Sequence, residues 1–233
     1  MRPLKWFLGI LLLPACVAGS LTLWDLFNSV SGGSIKGLPL GTWSLLGGFF
    51  LWIILYFVAP RPMRTYVLAH ELTHALWGSL MGARIVGMRV GRDSGYVKLT
   101  RVNFLISLAP YFFPFYTLCV ILLHTLLRFF FDLGPYAPIW LAWIGLTWGF
   151  HLTFTLSTLR IKQPDVQAHG RLFSYVIIYL FNLIGICIWI IAVTDINWHT
   201  WSLSLWDHLW DVYEQGIEWM LWGWHQVHSW IAT

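Results

Sequence analysis

The segment Arg64–Met81, RTYVLAHELTHALWGSLM, decides how this chain is read. It is long enough for a membrane helix and largely apolar, yet it holds three ionisable side chains together, His70, Glu71 and His74. On a helix the two histidines lie four residues apart and project from one face, about 40° apart around the axis. Glu71 is turned about 60° from His74, within reach of a water on a metal held by both imidazoles. Two neutral nitrogen ligands, an open coordination position and a carboxylate base are the parts of a zinc hydrolase. An ionisable group at membrane depth costs at least ~2.5 kcal/mol on insertion scales, so three in one segment need a reason. The plain alternative is a water-exposed helix face that holds no metal.

The rest of the chain supplies the membrane. Of 233 residues, 58% are hydrophobic and 10% charged, with mean hydropathy +0.67, whereas a soluble domain carries about 25% charged residues. Apolar runs at Trp6–Phe27, Thr42–Ala59, Val102–Leu127, Ala137–Leu159 and Leu172–Val193 approach or exceed the ~20 residues needed to cross a bilayer. Arg64–Met81 is a sixth, less apolar segment. Alternation at Val86–Val90 and Tyr96–Thr100, around the turn Gly91–Gly95, predicts a short β-hairpin. The expected fold is an all-α polytopic membrane protein of about six transmembrane or re-entrant helices. A β-hairpin follows the H-E-x-x-H helix, and an amphipathic helix ends the chain. Residues 1–59 then hold two N-terminal membrane helices, 60–193 the membrane core and 194–233 a Trp-rich tail. The N-terminal run reads as a retained helix, the alternative being a processed signal. Cys16, Cys119 and Cys187 fall inside apolar runs without C-x-x-C spacing, so no disulfide framework or thiolate zinc site is expected.

Charge orients the segments. All 14 Lys and Arg lie in residues 1–194 with five of the acids, whereas 195–233 hold the other five acids and no Lys or Arg. The basic residues sit in short loops between spans, which argues against nucleic-acid binding. Lys and Arg accumulate on the cytoplasmic side. If all six segments cross, the better orientation puts nine of them inside and five outside. If the motif segment enters and returns, twelve lie inside, and only Lys36 and Arg128 remain outside. Both schemes put the 84–101 loop and Asp165 at the cytoplasmic face and the acidic tail on the other side.

Two histidines need a third ligand, for which Asp165, His124, His151 and His169 are candidates. Proline constrains the residue before it and opens a helix cleanly, so Asp165 in Gln163-Pro164-Asp165 can stand at the mouth of the bundle. Two crossings separate it from the motif and return the chain to the same side. A carboxylate also lowers the site's charge, which a bilayer favours. The alternative role for Asp165 is to face the positive end of the helix dipole. His124 and His151, single polar residues in apolar spans, read as interhelical contacts. His169, four residues after Asp165, could share its face.

Taken together, these residues resemble the intramembrane zinc metalloproteases of the site-2 protease type. The likeness covers roughly residues 60–190. It rests on His70-Glu71-Leu72-Thr73-His74 running into Met81-Gly82-Ala83-Arg84, on the strand-like Ile85–Leu99 with Gly95-Tyr96-Val97, on Leu108-Ala109-Pro110-Tyr111-Phe112-Phe113-Pro114, and on Pro164-Asp165. Gln163 stands where many members have Asn, and the nearest following glycine is Gly170. The resemblance implies zinc-dependent hydrolysis of a peptide bond in a substrate's transmembrane segment. Glu71 would be the general base, and His70, His74 and Asp165 the Zn²⁺ ligands. A substrate helix must unwind to be cut, because its peptide groups are internally satisfied. The hairpin, through Gly95, Tyr96 and Val97, would then offer a strand edge to the extended segment. The alternative function is a non-catalytic subunit of the same fold in a membrane assembly.

The implied partners are a membrane protein substrate and the lipid bilayer, in a bacterial inner or plasma membrane. In the tail, Asp207, Asp211, Glu214 and Glu218 make one acidic stripe on a helix whose other faces are rich in tryptophan. This predicts an interfacial amphipathic helix, with docking to a membrane protein partner as its sharper reading.

Overall fold

The computed structural model describes residues 2–31, 40–194 and 196–231. Lys36 and Asp195, used in the charge argument, lie outside them. The chain is predominantly helical, in the order α1 (Arg2–Ser31), α2 (Leu40–Val58), α3 (Met63–Leu80), β1 (Ile85–Val90), β2 (Gly95–Leu99), α4 (Phe104–Leu108), α5 (Phe115–Leu127), α6 (Ala137–Leu159), α7 (Pro164–His169), α8 (Arg171–Val193) and α9 (Trp198–Ile231). Four of these helical stretches are long and apolar enough to cross a membrane: Pro3–Ser29, Leu40–Val58, Gly134–Leu159 and Arg171–Ala192. A fifth is counted if the bent pair Phe104–Tyr111 and Phe115–Leu127 is one span. The motif helix α3 is not among them.

The run at Val102–Leu127 is therefore not one straight helix. Its two pieces meet at 81°, and the sequence there is Ala109-Pro110-Tyr111-Phe112-Phe113-Pro114. Each proline lacks a backbone donor and clashes with the preceding turn, so the helix cannot continue through both. Ala109–Tyr111 tightens into a 3-10 turn, and α5 restarts after Pro114.

The contacts divide the chain into two compact units. One joins α1 to the chain from Tyr175 onward; the other runs from α2 to Ser174. In the second unit α2 and α6 pack closely and in parallel. Gly41 faces Leu141, Gly145 faces Leu45, Gly149 faces Phe49 and Trp52, and Trp52 Nε1 donates to Thr153 Oγ1 at 2.9 Å. A Cβ on Gly48 or Gly145 would run into the facing backbone, at Ala142 and Leu45 respectively. In lipid, small residues let helix backbones approach where hydrophobicity alone selects no partner. Trp52, Tyr56, Tyr66, Val67, Phe150 and Phe154 bury themselves at one end of this pair. Tyr66 of α3 stacks on Phe154 at 4.8 Å.

Local chemistry sets the ends of α3 and the hairpin. Gly82 has φ +75°, Gly82 N–H donates to Ser79 O at 3.0 Å, and Ala83 N–H donates to Gly78 O at 2.8 Å. This is a glycine-terminated C-cap, a backbone conformation that costs a residue with a Cβ. The expected hairpin is present one residue earlier in each strand. β1 and β2 pair antiparallel, with Arg89 opposite Tyr96 and Met88 opposite Val97. Asn103 caps α4, its Oδ1 accepting from Ile106 N–H at 2.9 Å.

In the first unit α8 runs parallel to α1. Ser20 Oγ meets Tyr179 Oη at 2.8 Å, Gly19 faces Leu183, and Leu26 clusters with Cys187 and Ile191. The predicted C-terminal helix is present as α9. Its packing adds something the sequence does not signal: it lies antiparallel along α1. Asp25 Oδ2 takes His208 Nε2 at 2.7 Å and Ser204 Oγ at 3.1 Å, and Tyr213 Oη donates to Leu11 O at 2.7 Å. Asp207, Asp211, Glu214 and Glu218 remain exposed.

Candidate metal centre

α3 presents His70 and His74 on one face, as the i, i+4 spacing requires. Their Nε2 atoms stand 3.2 Å apart. Asp165 Oδ2 is 3.5 Å from each of them. Asp165 is delivered by α7, which opens with Pro164 behind an extended Gln163 and closes at Gly170 with φ +87°. Ser174 Oγ donates to Val166 O at 3.0 Å and fastens this short helix. The three residues lie close enough to hold one metal ion.

The donor chemistry agrees with that role. Ile106 O can only accept, so His74 Nδ1 donates to it across 2.8 Å. A neutral His74 then carries its proton on Nδ1 and turns a bare Nε2 lone pair toward His70 and Asp165. Tyr66 Oη stands 3.4 Å from His70 Nδ1. Tyr111 O–H donates to Asp165 Oδ2 at 3.2 Å. Burial pushes the Asp165 carboxyl up, but its interactions with His70 and His74 outweigh this and hold it well below the usual carboxylate range. Lone pairs converge at such distances only with a cation or shared protons among them. Outer partners that set tautomer and orientation are a usual feature of metal-binding histidines.

Tyr111, Tyr66 and the Ile106 carbonyl are the members that reading the sequence did not pick out. A fully buried tyrosine hydroxyl must find a partner, and Tyr111 is buried in an apolar run; that is the signal by which it could have been found. The carbonyl has no sequence signal. The other proposed ligands lie elsewhere. His124 packs on Trp140 at 5.0 Å, His151 is buried in α6, and His169 is on α7. Among the described residues only His70, His74 and Asp165 form a metal-sized group.

The triad and Glu71 line a cleft of about 530 Å³ together with Asp93, Gly95, Tyr96 and Val97. β2 borders this cleft and β1 contributes nothing to its lining. Gly91 N–H donates to Ser94 O at 2.9 Å at the turn. From there, antiparallel alternation directs the peptide groups of Tyr96 and Lys98 to β1 and those of Gly95 and Val97 to the opposite edge. The sheet has two strands, so among the described residues no third strand covers that edge.

Gly95 lies against the glutamate. A Cβ there would stand 2.8 Å from Glu71 Cγ and 2.9 Å from its Oε1. Gly95→Val is therefore expected to displace the Glu71 carboxylate and to lower any Glu71-dependent turnover at least ~10-fold, at unchanged metal content. Overpacking of this kind costs ~1–3 kcal/mol. Turnover and metal analysis on the same preparation check it.

The fold and the site define a helical chain with membrane-compatible helices and a His-His-Asp triad suited to a metal ion. No protein-family model matches the chain, and no curated protein or solved structure matches it.

Proposed function

We propose that this chain is a membrane-embedded zinc endopeptidase that hydrolyses a peptide bond in or near a transmembrane segment of a protein substrate. The observation that carries the reading is the placement of Glu71. It shares one cleft with the His70–His74–Asp165 triad, and that cleft is bordered by an unpaired strand edge. Zinc is favoured by donor type and by size. Tetrahedral zinc with ligands at ~2.0–2.1 Å separates its donors by about 3.3–3.4 Å, and the three donor separations are 3.2, 3.5 and 3.5 Å. Three protein ligands leave the fourth position for water or substrate, as hydrolytic zinc sites do.

His70, His74 and Asp165 would hold the zinc, which would supply a Lewis acid to polarise the scissile carbonyl and acidify water. Glu71 takes the proton of the attacking water and passes it to the leaving amine nitrogen. The Asp165 carboxylate offsets the cation's charge, and Tyr111 orients it. An extended substrate pairs with the free peptide groups of Gly95 and Val97, which holds it unwound beside Glu71.

Edge pairing has its own test. The Val97 N–H points away from β1, so Val97→Pro spares the ladder and removes one donor from the open edge. It is expected to lower cleavage of a bound substrate ~10-fold, and unchanged cleavage rules the pairing out. The function itself is tested by comparing membrane proteomes of cells carrying wild type and Glu71→Gln. The expected result is that one or a few intact membrane proteins accumulate in the variant. Identical proteomes, with zinc present in both proteins, favour a structural role for the site.

A further inference from the structure

We infer that α3 begins and ends on one face of the membrane, and that among the described residues up to the end of α8 five segments cross it: α1, α2, the bent pair α4–α5, α6 and α8. The inference rests on reading these helices as membrane spans. It does not depend on the proposed peptidase chemistry.

α2 and α6 are parallel, from Gly41 against Leu141 to Trp52 bonded to Thr153. Two spans of one chain run parallel only if an odd number of crossings separates them. Between α2 and α6 lie two candidates, α3 and the bent pair, so one of them crosses and the other does not.

Contacts within the same unit say which. α3 starts only a short link, residues 59–62, after α2 ends. Parallel packing puts the end of α2 on the face where α6 ends. The far end of α3 is tied to the start of α4: Asn103 Nδ2 lies 3.1 Å from Met81 Sδ, and Thr100 N–H donates to Arg84 O at 3.0 Å. The start of α4 in turn rests on the start of α8, with Phe104 and Phe173 rings 5.4 Å apart. α8 follows α6 through α7 and short links, so this too is the face where α6 ends. Both ends of α3 therefore lie on one face. α5 leads away from it, running antiparallel to α6 with Tyr116 on Phe150 at 5.5 Å and His124 on Trp140 at 5.0 Å.

The direction of α8 against α1 agrees with this count. α1 and α8 are parallel, which requires that crossings return the chain to its starting face before α8 begins. α1, α2, the bent pair and α6 are four crossings and satisfy this; a crossing α3 would make five and reverse α8. The charges then name the face. Within the second unit every Lys and Arg except Arg128 falls on the side of the hairpin and the α6–α8 link, and basic residues mark the cytoplasmic side. The hairpin, with Arg84, Arg89, Arg92, Lys98 and Arg101 all exposed, belongs to that side.

The test is cysteine accessibility in intact cells. In a chain with Cys16, Cys119 and Cys187 changed to alanine, single cysteines are placed by Arg61→Cys in the α2–α3 link, Arg92→Cys at the hairpin tip and Asp132→Cys in the α5–α6 link. With a membrane-impermeant maleimide, Asp132→Cys is expected to label in intact cells. Arg61→Cys and Arg92→Cys are expected to label at least ~10-fold more after permeabilisation. Labelling of Arg61→Cys and Arg92→Cys from opposite faces, or of Arg92→Cys and Asp132→Cys from the same face, overturns the inference. Arg61→Cys and Arg92→Cys together outside, with Asp132→Cys inside, overturns the assignment to the cytoplasm. If the cysteine-free chain does not accumulate, an epitope inserted after Arg92 in the otherwise wild-type protein is probed in intact cells and in inverted vesicles. Exposure only in inverted vesicles supports the inference; exposure in intact cells overturns it. None of these readouts involves cleavage, so they can fail while Glu71-dependent proteolysis holds, and the reverse.

Discussion

Glu71→Gln is expected to abolish proteolysis while leaving one zinc per chain. Glutamine has nearly the same volume, so the cleft and the contact with Gly95 are kept. What is lost is the carboxylate that accepts a proton. Positioned general bases contribute ~10²–10⁴-fold, which corresponds to ~2.7–5.4 kcal/mol of barrier. Turnover should fall by that factor with little change in substrate affinity, because the strand edge proposed to hold the substrate is untouched. Single-turnover cleavage of a detergent-solubilised substrate, with zinc measured on the same sample, separates the two. Wild-type turnover in the variant would remove Glu71 from the mechanism.

The second large effect concerns the metal. His74→Ala is expected to reduce bound zinc from near one per chain to a small fraction of that. The substitution removes one of three protein donors and also breaks the hydrogen bond to Ile106 O at 2.8 Å that sets the ring's tautomer. Loss of an outer partner alone typically costs 10–100-fold in metal affinity, so loss of the ligand should exceed ~100-fold. Tyr111→Phe is the matched control. It removes the hydrogen bond to Asp165 Oδ2 at 3.2 Å while leaving all three metal donors, and should stay within the 10–100-fold range. Metal analysis by mass spectrometry after dialysis against a weak chelator measures all three proteins. Equal zinc in wild type and His74→Ala would place the metal elsewhere.

The candidate site was partly legible before any fold was known, for a local reason. The helix repeat brings residues four apart together, so His70 and His74 converge wherever that segment is helical. The hairpin was legible in the same way, from a two-residue alternation interrupted by Gly91-Arg92-Asp93-Ser94-Gly95. Asp165 was legible only as one of several candidates. Its Pro164 foretold a helix start, but His124, His151 and His169 could not be set aside until their distances were known.

The sequence by itself determined the apolar character of the long segments, the two-histidine face and the glutamate beside it, because each depends on composition or on spacing within one helix or strand. Only the tertiary structure decided that Asp165 completes the triangle, that Tyr111 and the Ile106 carbonyl hold its outer edge, and that α2 runs parallel to α6 and α1 to α8. The reason is that a span apolar on all its faces records that it prefers lipid, but not which way it runs or which neighbour it meets. Those are fixed by backbone approach at glycines such as Gly48 and Gly145. The reading of Arg64–Met81 depends on the same directions. Its composition allows a crossing, whereas the helix directions around it point to a segment that returns.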